Sequence, residues 1–430
     1  MQKQILCGVM AIVVAGCGTA TPTPSPAPTS SSGPGAVPSV SPTAPSTASA
    51  SIAAATPSAS SAAAAWHSVG TTTGLDGATS LDVVAWFKDR WVVFGQTNDG
   101  QATWSSTDGI AWHKGVMRSS GSGSAPVTIG AIASNGDVAV AVGLWREVTS
   151  GASLDVPLVD RGAGTVAAAM ERGEGPRVIP AATCEGLASA DAAVMTSTDG
   201  VTWSRVPDAK TLRGQPMFGV VAFHGGFVAA GGADGSGRSA TWTSPDGRHW
   251  TRGPDDAALR SGWISAVTAF GDSVIAVGGS ACDNLLSVPR AWRSTDGRSW
   301  SLATGLIKGT CCGAAAHVAA DTRVAVADGA AGSPDASSPS SATWTSGDGS
   351  TWTVHPQADQ TDTTWIVPIV ATADGFLGAG EGVWSSPDGV TWTNVVSHDV
   401  NFEAIAVGPN GALAVGVPDI WAVPAIAASP

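Results

Sequence analysis

The phrase Ser-x-Asp-Gly-x-x-Trp occurs six times, at Ser106–Trp112, Ser197–Trp203, Ser244–Trp250, Ser294–Trp300, Ser346–Trp352 and Ser386–Trp392. From Asp199 onward the copies recur every 40 to 52 residues. A repeat of that length marks an array of like supersecondary units, which constrains the fold more tightly than it constrains the function. Five of the six copies follow a short apolar run that ends in Trp, such as Ala240-Thr241-Trp242, and every copy precedes a second run opened by the motif Trp. Asp-Gly between two β-prone runs is a hairpin signal, because Gly accepts positive φ and Asp bonds nearby amides. The motif aspartates Asp108, Asp199, Asp246, Asp296, Asp348 and Asp388 are therefore expected to be structural turn residues.

Upstream of each motif lies another strand pair, for example Val220–Phe223 and Phe227–Gly231 around Gly225-Gly226. One repeat is thus four antiparallel strands, A to D, with the Asp turn between C and D. Such sheets stacked around an axis make an all-β propeller with short, protected edges. After Trp392 the chain supplies A, B and C strands of another unit but no fourth strand, while Ala65–Val69 looks like a D strand without its turn. The expectation is seven four-stranded blades, the last closed by the N-terminal strand so that no sheet edge is left open, with six blades as the alternative. Asp108 and Asp199 are 91 residues apart, and residues 148–190 lack a Trp or an Asp-Gly hairpin, so they read as a long B–C insertion in the second blade.

The repeat resembles the Asp-box, or bacterial neuraminidase repeat, of sialidase-like propellers, over about residues 65–430. It has one residue fewer between Asp and Gly than that family's usual pattern. The resemblance implies a ligand face opposite the Asp turns. In sialidases it also implies a Tyr nucleophile, a Glu base, an Asp acid and three Arg on the substrate carboxylate. This chain has no Tyr. Its arginines fall at turns or in C and D strands, for example Arg90, Arg205, Arg248 and Arg323, and never at the start of an innermost strand. A sialidase of that mechanism is excluded, and Asp-boxes accompany too many activities to name another.

The N-terminus carries a twelve-residue apolar stretch, Ile5–Gly16, too short to span a bilayer but suited to a signal-peptide core. Val14-Ala15-Gly16-Cys17 is similar to a bacterial lipobox, which implies lipidation at Cys17. Residues 18–64, nearly all Ala, Ser, Thr, Pro and Gly without charge, read as a tether that cannot fold alone. The organisation is signal and anchor (1–17), tether (18–64) and propeller (65–430). The expected location is extracytoplasmic and lipid-anchored, on the cytoplasmic membrane's outer face or on the outer membrane of a two-membrane cell. Cys184, Cys282, Cys311 and Cys312 then form an even set in an oxidising compartment. All four fall in B–C loops or D–A links, which share one face of a propeller. Cys282 is expected to pair with Cys311 or Cys312, and Cys184 with the other.

Other chemistries find little support. The formal charge of −13 disfavours nucleic acid. The chain lacks GxSxG, HExxH and GxxxxGK[ST] patterns, and no metal or cofactor is expected. Aligning the blades puts Trp263 and Trp365 at one position at the mouth of strand A. Met217 and Phe402 fall in the next column, and Phe218, Asp82 and Glu403 in the one after, with Asp82 and Glu403 on adjacent blades. Two Trp and two carboxylates can stack a sugar ring and bond its hydroxyls, or hold a cation. The leading expectation is a monomeric, non-catalytic binding or scaffolding lipoprotein for a protein or cell-envelope glycan. The alternative is a glycoside hydrolase or lyase using the two acids.

Overall fold

In the computed structural model the described residues are 66–69, 73–118, 127–145, 190–207, 210–232, 238–260, 262–280, 288–306, 315–331, 340–356, 366–409, 411–416 and 420–424. All lie in one compact unit, Ser58–Pro430. Signal, tether, the four cysteines, Trp365 and nearly all of the 148–190 insertion lie outside them.

The protein is an all-β propeller of four-stranded antiparallel blades. Its strands form seven sheets among the described residues, numbered here in chain order by innermost strand. Sheet 1 is Ala78–Phe87, Arg90–Thr97, Gly100–Ser106 and His113–Lys114. Sheet 2 is Val127–Ser134, Ala139–Trp145, Asp191–Ser197 and Thr202–Arg205, with Val116–Arg118 added in parallel on its outer edge. Sheet 3 is Gly219–Phe223, Gly226–Gly231, Ala240–Ser244 and Thr251–Arg252. Sheet 4 is Trp263–Phe270, Ser273–Gly279, Pro289–Ser294 and Ser301–Leu302. Sheet 5 is Ala315–Ala320, Ala325–Ala331, Ser340–Ser346 and Thr353–Pro356.

Sheet 6 contains Ile366–Thr372, a long strand Gly375–Ser386, and Thr393–Asn401. A straight strand of that length would hold its ends about 36 Å apart at ~3.3 Å per residue. Yet a Cβ on Gly375 would lie 2.2 Å from the Ser386 carbonyl oxygen. The strand therefore doubles back through Gly380 and Gly382, both at positive φ, and supplies two limbs to its sheet. Sheet 7 is Ala404–Gly408, Gly411–Val415 and Ile420–Pro424, and its outer strand is His67–Ser68 from the other end of the chain. His67 pairs with Ala422 and Ser68 with Trp421.

Inner strands pack on inner strands from sheet to sheet, and Ala404–Gly408 of sheet 7 packs on Ala78–Phe87 of sheet 1. The core lies between sheets. Trp104, Trp203, Trp242, Trp292 and Trp344 are fully buried there. Each of the six motif turns docks on the preceding sheet. The Gly389 turn of sheet 6 sits on Val326 of sheet 5, and the Gly109 turn of sheet 1 sits on Leu413 of sheet 7. Trp66, 8% exposed, holds the corresponding place in sheet 7, just before the outer strand and packed with Val383, Val395 and Phe402.

Candidate functional site

At one end of the ring the same turn chemistry recurs six times. The motif Ser hydroxyl lies 2.8–3.3 Å from Asp Oδ1 and accepts the Gly amide at 2.8–2.9 Å. The same Oδ1 accepts the amides two and three residues on at 2.7–2.9 Å. The glycines stand at φ of 70–77°, which a side chain would resist. In Asp108 and Asp348 those amides hold the carboxyl below its ordinary range. In Asp199, Asp246, Asp296 and Asp388 partial burial pushes the other way, but the amides outweigh it, joined at Asp246 by the His249 ring. Oδ1 of each motif carboxylate is thus committed to its turn.

The opposite end, where the inner strands begin, is built from β-bulges. The register slips at Asp82 in sheet 1, Gly130 in sheet 2, Ser265 in sheet 4 and Ala316 in sheet 5. In sheets 3 and 7 the amide of Phe218 bonds the Ala230 carbonyl and that of Glu403 the Val415 carbonyl, while Gly219 and Ala404 also pair with those residues. A bulge re-aims the side chain at the extra residue. It also crowds the neighbouring strand. A Cβ on Gly278 would lie 1.9 Å from the Trp263 carbonyl oxygen, so the B strand carries Gly there.

Bulging leaves amides that the sheet's own ladder does not use, and the neighbouring sheet accepts them. Leu81 N–H donates to Glu403 Oε2 at 3.1 Å. Ile129 N–H donates to Gln101 Oε1 at 2.8 Å. Met217 N–H donates to the Gly143 carbonyl at 3.1 Å, and Phe402 N–H to the Gly380 carbonyl at 2.8 Å. Between sheets 4 and 5 the Ser265 hydroxyl bonds the Ala315 carbonyl at 2.8 Å. Glu403 thus serves at the junction of sheets 7 and 1 as Gln101 serves at the next one.

The structure brings some expected site residues together and separates others. Asp82 and Glu403 are neighbours, since Glu403 bonds the amide one residue before Asp82; both are half-buried. Phe218 and Trp263 meet edge to face, with centroids 6.4 Å apart and rings at 87°. Trp263 is half-buried and its indole N–H is buried without a partner among the described residues. Phe402 is 1% exposed and packs among Trp66, Val383 and Val396. It shares its column with the buried Met217, Leu81 and Ile129, so its ring packs sheets and is not offered to a ligand.

Composition and motif spacing gave no sign of His317 and Asp328, which face each other in sheet 5. Among the described residues no three His, Cys, Asp or Glu side chains are grouped to hold a metal. A cleft of about 460 Å³ opens at the other end, between sheet 2 and the Asp turn of sheet 3, lined by Thr196, Thr202, Ser204 and Arg248 among others. It is remote in register from the strand heads, and its Asp199 is already bonded within the turn.

No protein-family model matches the chain, and no curated protein sequence matches it. Solved structures do. Hydrazine synthase of Kuenenia stuttgartiensis aligns with a TM-score of 0.50 at 8% identity, over 84% of this chain and 99% of that one. YCF48 bound to D1 peptide aligns at 0.49 and 13% identity, over 85% and 97%. Trypanosoma rangeli sialidase in complex with sialic acid aligns at 0.41 and 12% identity, over 81% of this chain and 54% of that one. At such identities the likeness bears on the fold alone.

Proposed function

We propose that the chain is an exported lipoprotein of Asp-box type, lipidated at Cys17, whose propeller is a non-catalytic binding or scaffolding module. Its seven sheets are taken as seven blades of one ring closed by the N-terminal strand, six blades being the alternative. The ligand, a protein or a cell-envelope glycan, is taken at the strand-head end, opposite the Asp turns. Cys282 with Cys311 or Cys312, and Cys184 with the other, would brace that end. The module sits outside the cytoplasm, held by residues 18–64.

One observation carries the non-catalytic reading: Glu403 Oε2 accepts the Leu81 amide across the junction of sheets 7 and 1. A carboxylate that closes a backbone hydrogen bond between blades is poorly placed to trade protons with a substrate. The absence of Tyr excludes only a sialidase with a Tyr nucleophile. The competing glycoside hydrolase or lyase draws on the same contact, because it sets Glu403 beside Asp82. Asp82→Asn and Glu403→Gln separate the two, abolishing turnover in an enzyme and only adjusting affinity in a binder.

A glycan-array screen of wild type beside Trp263→Ala/Trp365→Ala tests the ligand class. Binding that disappears in the double variant supports a carbohydrate site at the strand heads. No binding by wild type directs the search to a protein partner, by cross-linking in intact membranes.

A further inference from the structure

Sheet 5 departs from the other sheets at one pair of positions. His317, just past the bulge of the inner strand, faces Asp328 on the second strand. The same pair is Ala131 with Val142 in sheet 2, Ala266 with Val277 in sheet 4 and Ala404 with Val415 in sheet 7. In sheets 1, 3 and 6 it is likewise apolar or glycine. The backbone therefore does not demand an acid here.

Asp328 is nonetheless 2% exposed. Its Oδ1 accepts the His317 backbone N–H at 3.0 Å and lies 3.3 Å from His317 Nδ1. Its Oδ2 is buried with no partner among the described residues. The His317 side chain keeps 25% of its surface exposed. Burying a half-satisfied carboxylate opposes stability, so a group of this kind calls for a reason other than packing. A buried carboxylate on Nδ1 is the arrangement that fixes a histidine's orientation and tautomer.

We infer that Asp328 and His317 form a carboxylate–imidazole dyad, in which Asp328 is a positioning residue that holds Nδ1–H and leaves Nε2 as an acceptor for a hydroxyl-bearing ligand such as a sugar. The ligand class rests on the binding reading given above. The Ser265 hydroxyl joins the head of sheet 4 to Ala315, two residues before His317. A metal would find no cluster of three ligands among the described residues.

The test uses the full chain with selectively ¹⁵N-labelled histidine. Long-range ¹H–¹⁵N spectra report the tautomer, and mass mapping after diethyl pyrocarbonate reports Nε2 reactivity at each His. Wild-type His317 is expected to carry its proton on Nδ1 and to be acylated. Asp328→Val should move the proton to Nε2 and slow acylation severalfold. The double variant His317→Ala/Asp328→Val recreates the pair of sheet 2 and should match or exceed the wild-type Tm. A wild-type His317 protonated on Nε2, a tautomer and reactivity unmoved by Asp328→Val, or a double variant that unfolds would each overturn the dyad. None of these readouts involves a glycan, so their failure is distinct from failure of the ligand reading.

Discussion

The two ends of this propeller solve the same problem in opposite ways. At the Asp-turn end one solution is copied six times, with Ser, Asp and Gly in fixed places and the Gly pressed on the preceding sheet. At the strand-head end the five junctions described above use four devices: Glu403, Gln101, a backbone carbonyl (Gly143 and Gly380) and the Ser265 hydroxyl. Copying suits a part whose only task is to hold sheets together. Variation is where a chain can place residues that serve something else, and the unusual groups, Asp82, Trp263, His317 and Asp328, all sit toward that end.

Perturbing the sequence at chosen points breaks or sharpens this contrast. The largest effect is expected at the ring's one join between chain ends. Trp66→Ala removes the buried indole that replaces a motif Trp, and should cost about 3–5 kcal/mol by denaturant titration, in the range of buried aromatic truncations. A loss below ~1 kcal/mol would mean that the N-terminal strand adds little to sheet 7. Next comes Gly389→Ala in a copied turn. Its Cβ would lie 2.3 Å from Val326 Cγ2 at a φ of 76°, so about 2 kcal/mol or more is expected from strain and overpacking. Unchanged stability there would undercut the docking role of the turns.

A sharper contrast comes from Glu403. Glu403→Ala strands the Leu81 amide and should cost about 1–3 kcal/mol. Glu403→Gln keeps an acceptor, as Gln101 does one junction on, and should stay within ~0.5 kcal/mol of wild type. Equal losses in both variants would show that charge, not the hydrogen bond, matters at this junction.

The smallest effect is expected from acid. The six motif carboxyls are held below the ordinary 3.8 in the folded state. Their contribution is fully present above that value and is lost as pH falls from 3.8 toward the folded pKa values, because the unfolded chain then binds more protons. Thermal melts should hold steady above this window and drop within it, and less steeply once Asp108 and Asp348 are both replaced by Asn. A melt independent of pH across that range would remove the turns from the account.

Much of the architecture was legible in the sequence because the motif carries its own geometry. Ser, Asp and Gly specify the turn, the alternating runs specify strands, and Ala65–Val69 resembled a D strand without its turn. The strand heads were harder. A bulge adds one residue without a compositional mark, so Phe402 read as a neighbour of the mouth although its column is the buried one. Asp82 and Glu403 were aligned correctly from their B strands, but the bond from Leu81 spans 322 residues and depends on ring closure. His317 and Asp328 gave no signal because their significance is the contrast with apolar pairs, visible only once register is known. In sheet 6 the second and third strands that the repeat implies run on as one, because Gly380-Glu381-Gly382 joins them without a loop.

The most direct test of the central claim is a product assay. Glycans that the full-length protein retains on an array would be incubated with it and analysed for release of new reducing ends, beside Asp82→Asn and Glu403→Gln. The account predicts retention without release, with binding largely unchanged in Glu403→Gln. Release by wild type that vanishes in both variants would contradict it and make the acid pair an active site.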